Sequence, residues 1–206
     1  MQIKLDNVSK RYRFEWIIKK LSFEFESNQS YVILGPNGSG KSTLMRMLSG
    51  YLTPSKGKIT FIENDKAVEI EQVYKSVSYA APYIDLIEEF TLDEAIKFHQ
   101  RFKPFYNEIT PEKIHELLAF KKSKHKQVKF FSSGMKQRLK LVLALASDTP
   151  ILLLDEPTTN LDAQGVDWYL SLIAQFGKNR LIVVASNIEH DYGFCETQVN
   201  ILDYKK

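Results

Sequence analysis

Residues 31–43 read YVILGPNGSGKST, an apolar run that breaks into glycines and stops at Lys41-Ser42-Thr43. Gly35, Gly40, Lys41 and Ser42 satisfy the pattern G-x-x-x-x-G-K-[ST]. Such a loop turns backbone N–H groups inward around polyphosphate oxygens, and the helix that follows aims its positive end at the same charge. The candidate phosphate cradle is therefore Gly35, Pro36, Asn37, Gly38, Ser39, Gly40, Lys41, Ser42 and Thr43. Within it, Lys41 is expected to reach the β- and γ-phosphates, and the Ser42 hydroxyl to ligate Mg²⁺. The four apolar residues before the loop suit a strand covered on both faces, inside a parallel sheet.

Working outward, residues 151–158 read ILLLDEPT. A buried strand ending in two adjacent carboxylates places them at the carboxyl edge of a sheet, where open α/β sheets bind ligands. Asp155 is the candidate metal ligand, and Glu156 the group that orients and polarises an attacking water. Residues 131–138, FSSGMKQR, precede a helix carrying Leu139, Val142, Leu143 and Leu145; taken alone they are a serine-rich helix start.

The remaining chain fits around these stretches. Ile3 and Leu5, then Leu21, Phe23 and Phe25, alternate with polar residues and predict an antiparallel sheet near the N-terminus. The helix opening at Lys41 should stop near Gly50. Strands are expected at 58–62, 67–70, 77–80, 151–154, 181–185 and 198–202, with a helix from about Asp162 to Gly177 linking a parallel pair. Thr91 with Glu94, and Thr110 with Pro111, open helices in a mainly helical stretch of about residues 83–147. The fold class is α/β: a single 206-residue domain whose core, about 1–82 and 148–206, has a mainly parallel sheet and an N-terminal antiparallel β subdomain.

Composition excludes more than it selects. Hydrophobic residues at 44% and charged residues at 26% are globular values, and a net charge of +3 does not call for an acidic partner. No basic, aromatic-rich face is legible, which counts against nucleic acid. The lysines at 121, 122, 124, 126 and 129 read as a solvated loop or a contact with anionic lipid or nucleic acid. The single cysteine, Cys195, leaves no intrachain disulfide and reads as a small core residue of a reducing compartment. The apolar runs fall short of the ~20 residues that span a bilayer, and no secretory signal is present, so a cytosolic location is expected.

The order GPNGSGKST, SSGMKQR, ILLLDEPT and NLD (residues 160–162) resembles the ATP-binding subunit of ABC transporters over essentially the whole chain. The resemblance implies a P-loop NTPase core with an inserted helical subdomain. It further implies that Ser132, Ser133 and Gly134 form the signature meeting the γ-phosphate held by a partner subunit, and that Asp162 is the D-loop aspartate. Tyr12 matches the aromatic that stacks on adenine, with Phe14 and Trp16 near enough to compete. The implied cofactors are ATP and Mg²⁺, and the implied activity is ATP hydrolysis by a head-to-tail dimer. Its partners would be a second ATP-binding subunit and separate transmembrane permease subunits, on the cytoplasmic face of a membrane.

Two departures bear on rate. Asn187 stands where the family carries a catalytic histidine; its amide can donate a hydrogen bond but carries no proton, and His190 lies three residues on. The family's glutamine falls near Ala81 or Pro82, whose side chains coordinate nothing. The expectation is an ATPase slower than relatives with both groups. A regulatory low-turnover subunit and a soluble ABC-type ATPase acting on nucleic acid or the ribosome are the alternatives. Compact length and resemblance to short exporter cassettes lean toward export.

Overall fold

The computed structural model describes residues 1–106, 109–120 and 123–205. In chain order its strands and helices are β1 (Gln2–Tyr12), β2 (Glu15–Phe25), β3 (Ser30–Leu34), α1 (Lys41–Leu48), β4 (Lys56–Glu63), β5 (Lys66–Val68), α2 (Ile70–Ser76) and β6 (Val77–Ala80). There follow α3 (Leu92–Phe102), α4 (Pro111–Leu118), α5 (Ser133–Ala146), β7 (Ile151–Asp155), α6 (Ala163–Phe176), β8 (Leu181–Ala185), α7 (Glu189–Tyr192) and β9 (Thr197–Asn200).

The chain forms two compact units, one of residues 1–79, 150–156 and 179–206, the other of 80–149 and 157–178. The first holds both sheets. A five-stranded sheet runs β6-β7-β8-β3-β9, with β7/β8, β8/β3 and β3/β9 parallel. A four-stranded antiparallel sheet runs β2-β1-β4-β5. The central strands are apolar throughout because both their faces are covered: every residue of β7 and β8 is buried. On β1 and β2, alternation selects one face, so Ile3, Leu5, Leu21 and Phe25 join a core with Leu44 and Leu48 of α1 and Leu153 and Val183 of the parallel sheet.

The second unit packs α3 to α6 on Leu92, Ile96, Ile114, Leu118, Leu139, Val142 and Leu172, all nearly inaccessible to solvent. The Thr91–Glu94 capping box is present, with the Thr91 side chain accepting from the Glu94 amide. Trp168 of α6 donates its indole N–H to the Leu117 carbonyl at 2.8 Å, and the Arg138 guanidinium lies 4.4 Å over its ring.

The structure corrects three details. The expected strand over 67–70 ends at Val68, because Ile70 and Val73 share a helical spacing that buries Val73 as α2. The last strand ends at Asn200, whose side chain caps the following 3₁₀ turn by accepting from the Leu202 amide. Cys195 is half-buried rather than in the core; burial pushes its thiol up to about 12, away from the reactive thiolate. Of the lysine run, 121 and 122 lie outside the described residues, while Lys126 and Lys129 stand over the rings of Phe131 and Phe130.

Candidate functional site

β3 delivers the chain into the glycine loop between two parallel neighbours, at the carboxyl ends of the strands. Gly40 is the hinge of that loop. Its φ is 107°, and a Cβ there would sit 2.6 Å from the Ile17 side chain. With Gly40 at the N-cap, α1 has no side-chain capping bond and no acidic residue in its first turn. The other helices of eight residues or more, α3 to α6, are each capped by a side-chain oxygen, from Thr91, Thr110, Ser132 and Asp162. Hence α1 alone among them presents first-turn amides that no side chain accepts from, the arrangement an anion completes.

Two further groups fit a phosphate there. The Ser39 Oγ is buried without a hydrogen-bond partner. The Lys41 ammonium, on a residue only 5% exposed, folds back to donate to the Gly35 carbonyl at 2.6 Å and the Pro36 carbonyl at 3.5 Å. A cavity of about 230 Å³ opens over this loop, lined by residues 37–43 together with Tyr12, Ile17 and Glu156.

Asp155 ends β7, is 1% exposed, and accepts from the Tyr79 hydroxyl at 3.5 Å. A buried carboxylate held by a phenol is a hard oxygen donor suited to a divalent cation. Glu156 then leaves the strand at φ 45°, a region few non-glycine residues occupy. Its amide is anchored to the Ala185 carbonyl at 2.8 Å, and this sharp turn brings Glu156 to the cavity wall. A carboxylate so placed can accept a proton from water or orient it.

Asn187 sits against the start of the glycine loop. Its Oδ1 accepts from the Gly35 amide at 3.3 Å and braces the loop, which leaves the side-chain N–H groups to donate. His190 lies on the short helix α7 with its ring 3.9 Å from the Asp191 carboxylate, which also accepts from the buried Ser186 hydroxyl at 2.5 Å. Ala81 and Pro82 offer only carbonyls, and the Lys140 ammonium takes both, at 3.4 and 2.6 Å. Burial lowers the pKa of that lysine below its ordinary value. Of the three aromatics, Tyr12 lines the cavity, Phe14 is 98% exposed, and Trp16 lines a different concavity.

Ser132, Ser133 and Gly134, expected from the sequence to form the signature, belong to the helical unit. Ser132 caps α5, its Oγ accepting from the Met135 amide at 3.2 Å; Ser133 and Gly134 form the first turn. Asp162 caps α6, accepting from the Gly165 amide at 2.8 Å. Sequence reasoning missed Tyr79 and Lys140. The alternation of Val77, Ser78 and Tyr79 could have placed Tyr79 on a strand face, whereas nothing local marks the 58-residue reach of Lys140.

The protein-family model described as ABC transporter matches residues 18–159. The uncharacterized ABC transporter ATP-binding protein YxlF of Bacillus subtilis (strain 168) is 31% identical over 192 residues, covering 92% of this chain and 63% of that protein. Nod factor export ATP-binding protein I of Rhizobium johnstonii is 36% identical over 163 residues, covering 78% of this chain and 52% of that protein. The chain thus spans between half and two thirds of the length of these relatives. Among solved structures, the dimeric post-hydrolysis state of the ATP-binding cassette MJ0796 bound to ADP and Pi superposes with a TM-score of 0.82 at 20% identity, over 97% of this chain and 94% of that one. The ATP-bound bacterial Atm1-family ABC exporter gives 0.79 at 20% identity, over 97% of this chain and 37% of that one. At such identity these two likenesses speak to the fold.

Proposed function

The chain belongs to the ABC transporter family, and from that premise we propose that it is the ATP-binding and hydrolysing subunit that energises a membrane transporter. The observation that carries the reading is one cavity in which an uncapped helix start, the Lys41 ammonium and the Glu156 carboxylate converge. ATP is the substrate: the amides of residues 38–43 and Lys41 hold its phosphates, and Tyr12 supports its base. Ser42 and Asp155 would hold Mg²⁺, which would supply charge neutralisation for phosphoryl transfer. Glu156 orients the attacking water and takes its proton. Lys41 exchanges its bonds to the Gly35 and Pro36 carbonyls for bonds to phosphate.

The complete site needs a second cassette head to tail, whose Ser132, Ser133 and Gly134 cover the γ-phosphate and whose Asp162 links the two sites. Transmembrane subunits at the cytoplasmic face of a membrane receive the resulting motion. The described residues contain no helix long and apolar enough to cross a membrane. The name of the Rhizobium relative favours export as the direction.

A second reading, a regulatory subunit of low turnover, is favoured by Asn187 bracing Gly35 and by the Lys140-engaged carbonyls of Ala81 and Pro82. Single-turnover hydrolysis with Mg²⁺-ATP tests both. Glu156→Gln should bind ATP like the parent and slow the chemical step by roughly a hundredfold or more. Undiminished hydrolysis in that variant would remove Glu156 from its role, and a parent rate as slow as the variant's would favour the regulatory reading.

A further inference from the structure

The antiparallel sheet carries a second concavity, of about 410 Å³, that the proposed function leaves unused. Trp16 and three lysines, Lys19, Lys20 and Lys56, line it. Strand alternation separates it from the nucleotide cavity, since Ile17 lines that cavity and its neighbour Trp16 lines this one.

The hollow is built by irregularities in three strands. Register shifts fall between Leu5 and Val8 on the β2 side of β1, and between Asp6 and Ser9 on its β4 side. Asn7 and Lys20 have φ of 49° and Gly57 has φ of 81°, so three left-handed residues surround one depression. At Gly57 any side chain is excluded, because a Cβ would lie 2.4 Å from the Asn7 carbonyl oxygen. Bulges and left-handed residues of this kind persist where they re-aim side chains or clamp ligands.

Charge then says what the hollow accepts. Residues 7–20 and 53–60 contain seven basic side chains and one acidic one, Glu15, so the rest of a chain whose net charge is +3 is net acidic. Among the described residues, none of Arg11, Lys19, Lys20 and Lys56 forms an ion pair with a carboxylate. Arg11 and Lys56 both stand 5.6 Å from the centre of the Trp16 ring, two like charges gathered on one indole. Such a cluster is relieved by a multiply charged anion. Lysines grip phosphate as point charges, and the indole offers a flat apolar wall. An open hollow of this size, confined to a few residues, suits a compact ligand rather than a groove-tracking polymer.

We infer that this concavity binds a compact ligand bearing several phosphate charges, free in solution or as a lipid headgroup, held by Lys19, Lys20 and Lys56 against Trp16. The sequence hides it, because the contributors come from three strands.

Fluorescence of Trp16 in a Trp168→Phe background tests the inference. Inositol hexakisphosphate should give a saturable change at one ligand per chain, and Lys19→Glu with Lys56→Glu should weaken it roughly tenfold or more. Lys41→Ala should leave that binding unchanged while removing ATP binding, which separates this site from the nucleotide site. Should the double variant misfold by circular dichroism, Lys56→Met keeps the aliphatic stem over Trp16 and serves instead. Phosphatidylcholine vesicles with and without phosphatidic acid identify the source: a response confined to the acidic vesicles and blocked by the same substitutions points to a headgroup. No saturable response to either probe, unchanged binding by the substituted protein, or tighter binding to a DNA oligomer with several chains per strand would overturn the inference.

Discussion

The starts of α1 and α5 are built in opposite ways for what the proposed function makes the same phosphate. At α1 the N-cap is Gly40, no side chain accepts from the first turn, and a buried lysine is folded against its own loop. At α5 the N-cap is Ser132, whose Oγ already accepts from the Met135 amide. The first is an uncapped helix start of the kind an anion completes. The second is a satisfied helix end with one asset left, because a capping hydroxyl that accepts still has its O–H to donate. On the proposed function, the difference divides binding and closure between two helix starts: one would hold nucleotide by itself, and the other would add a contact at little cost once a partner presents the phosphate.

Substitutions that attack each start should separate these roles. The largest effect is expected from Gly40→Ala, which forces a side chain onto a φ of 107° and against Ile17. ATP affinity should fall more than tenfold and stability by about 2 kcal/mol, read by nucleotide titration and thermal unfolding. An alanine variant that bound ATP normally would break the comparison at its stronger side.

Ser132→Ala should be milder and of another kind. Loss of the cap costs about 1 kcal/mol of stability, while ATP affinity of the isolated chain stays within a factor of about two. Ser132→Thr should restore the stability, since threonine also caps, and a loss of ATP affinity in Ser132→Ala equal to that in Gly40→Ala would erase the distinction.

Much of this contrast was legible in the sequence, and the reason is locality. The apolar run into GPNGSGKST, the acids ending ILLLDEPT, the Thr91–Glu94 pair and the Asp162 to Gly177 helix are each written within a few residues, so propensity and spacing find them. What escaped depends on distant partners. Ile70 looks like the tail of a strand until Val73 is seen to be buried. Tyr79 meets Asp155 across 76 residues, and the hollow beside Trp16 exists only after bulges in β1 and left-handed turns at Lys20 and Gly57 coincide. The direction of the Asn187 bond was equally closed to sequence reasoning, because an amide side chain donates or accepts according to what faces it.

A pH effect is expected away from both helix starts. Near the far end of α5, the His99 ring bonds Ser147 at 2.8 Å, and Ser147 donates to the Leu143 carbonyl at 2.6 Å. Burial, reinforced by Lys103, lowers the His99 pKa from 6.5 to about 4. The folded ring is therefore neutral where the unfolded one is protonated, and stability is complete above pH about 6.5 and lost as pH falls toward about 4. The loss should reach about 2 kcal/mol, after allowance for partial exposure of the ring, and should flatten in His99→Gln when unfolding is followed across that window. Equal pH dependence in both proteins would assign the effect elsewhere.

The central claim is that the triphosphate lies over residues 35–43 with its terminal group before Glu156. A crystal structure of Glu156→Gln with Mg²⁺-ATP tests it most directly. In that crystal the Lys41 ammonium should be released from the Gly35 carbonyl and bonded to phosphate, with the side chain at position 156 facing the terminal group. Phosphates found elsewhere, or Lys41 still bonded to its own loop beneath a bound nucleotide, would contradict it.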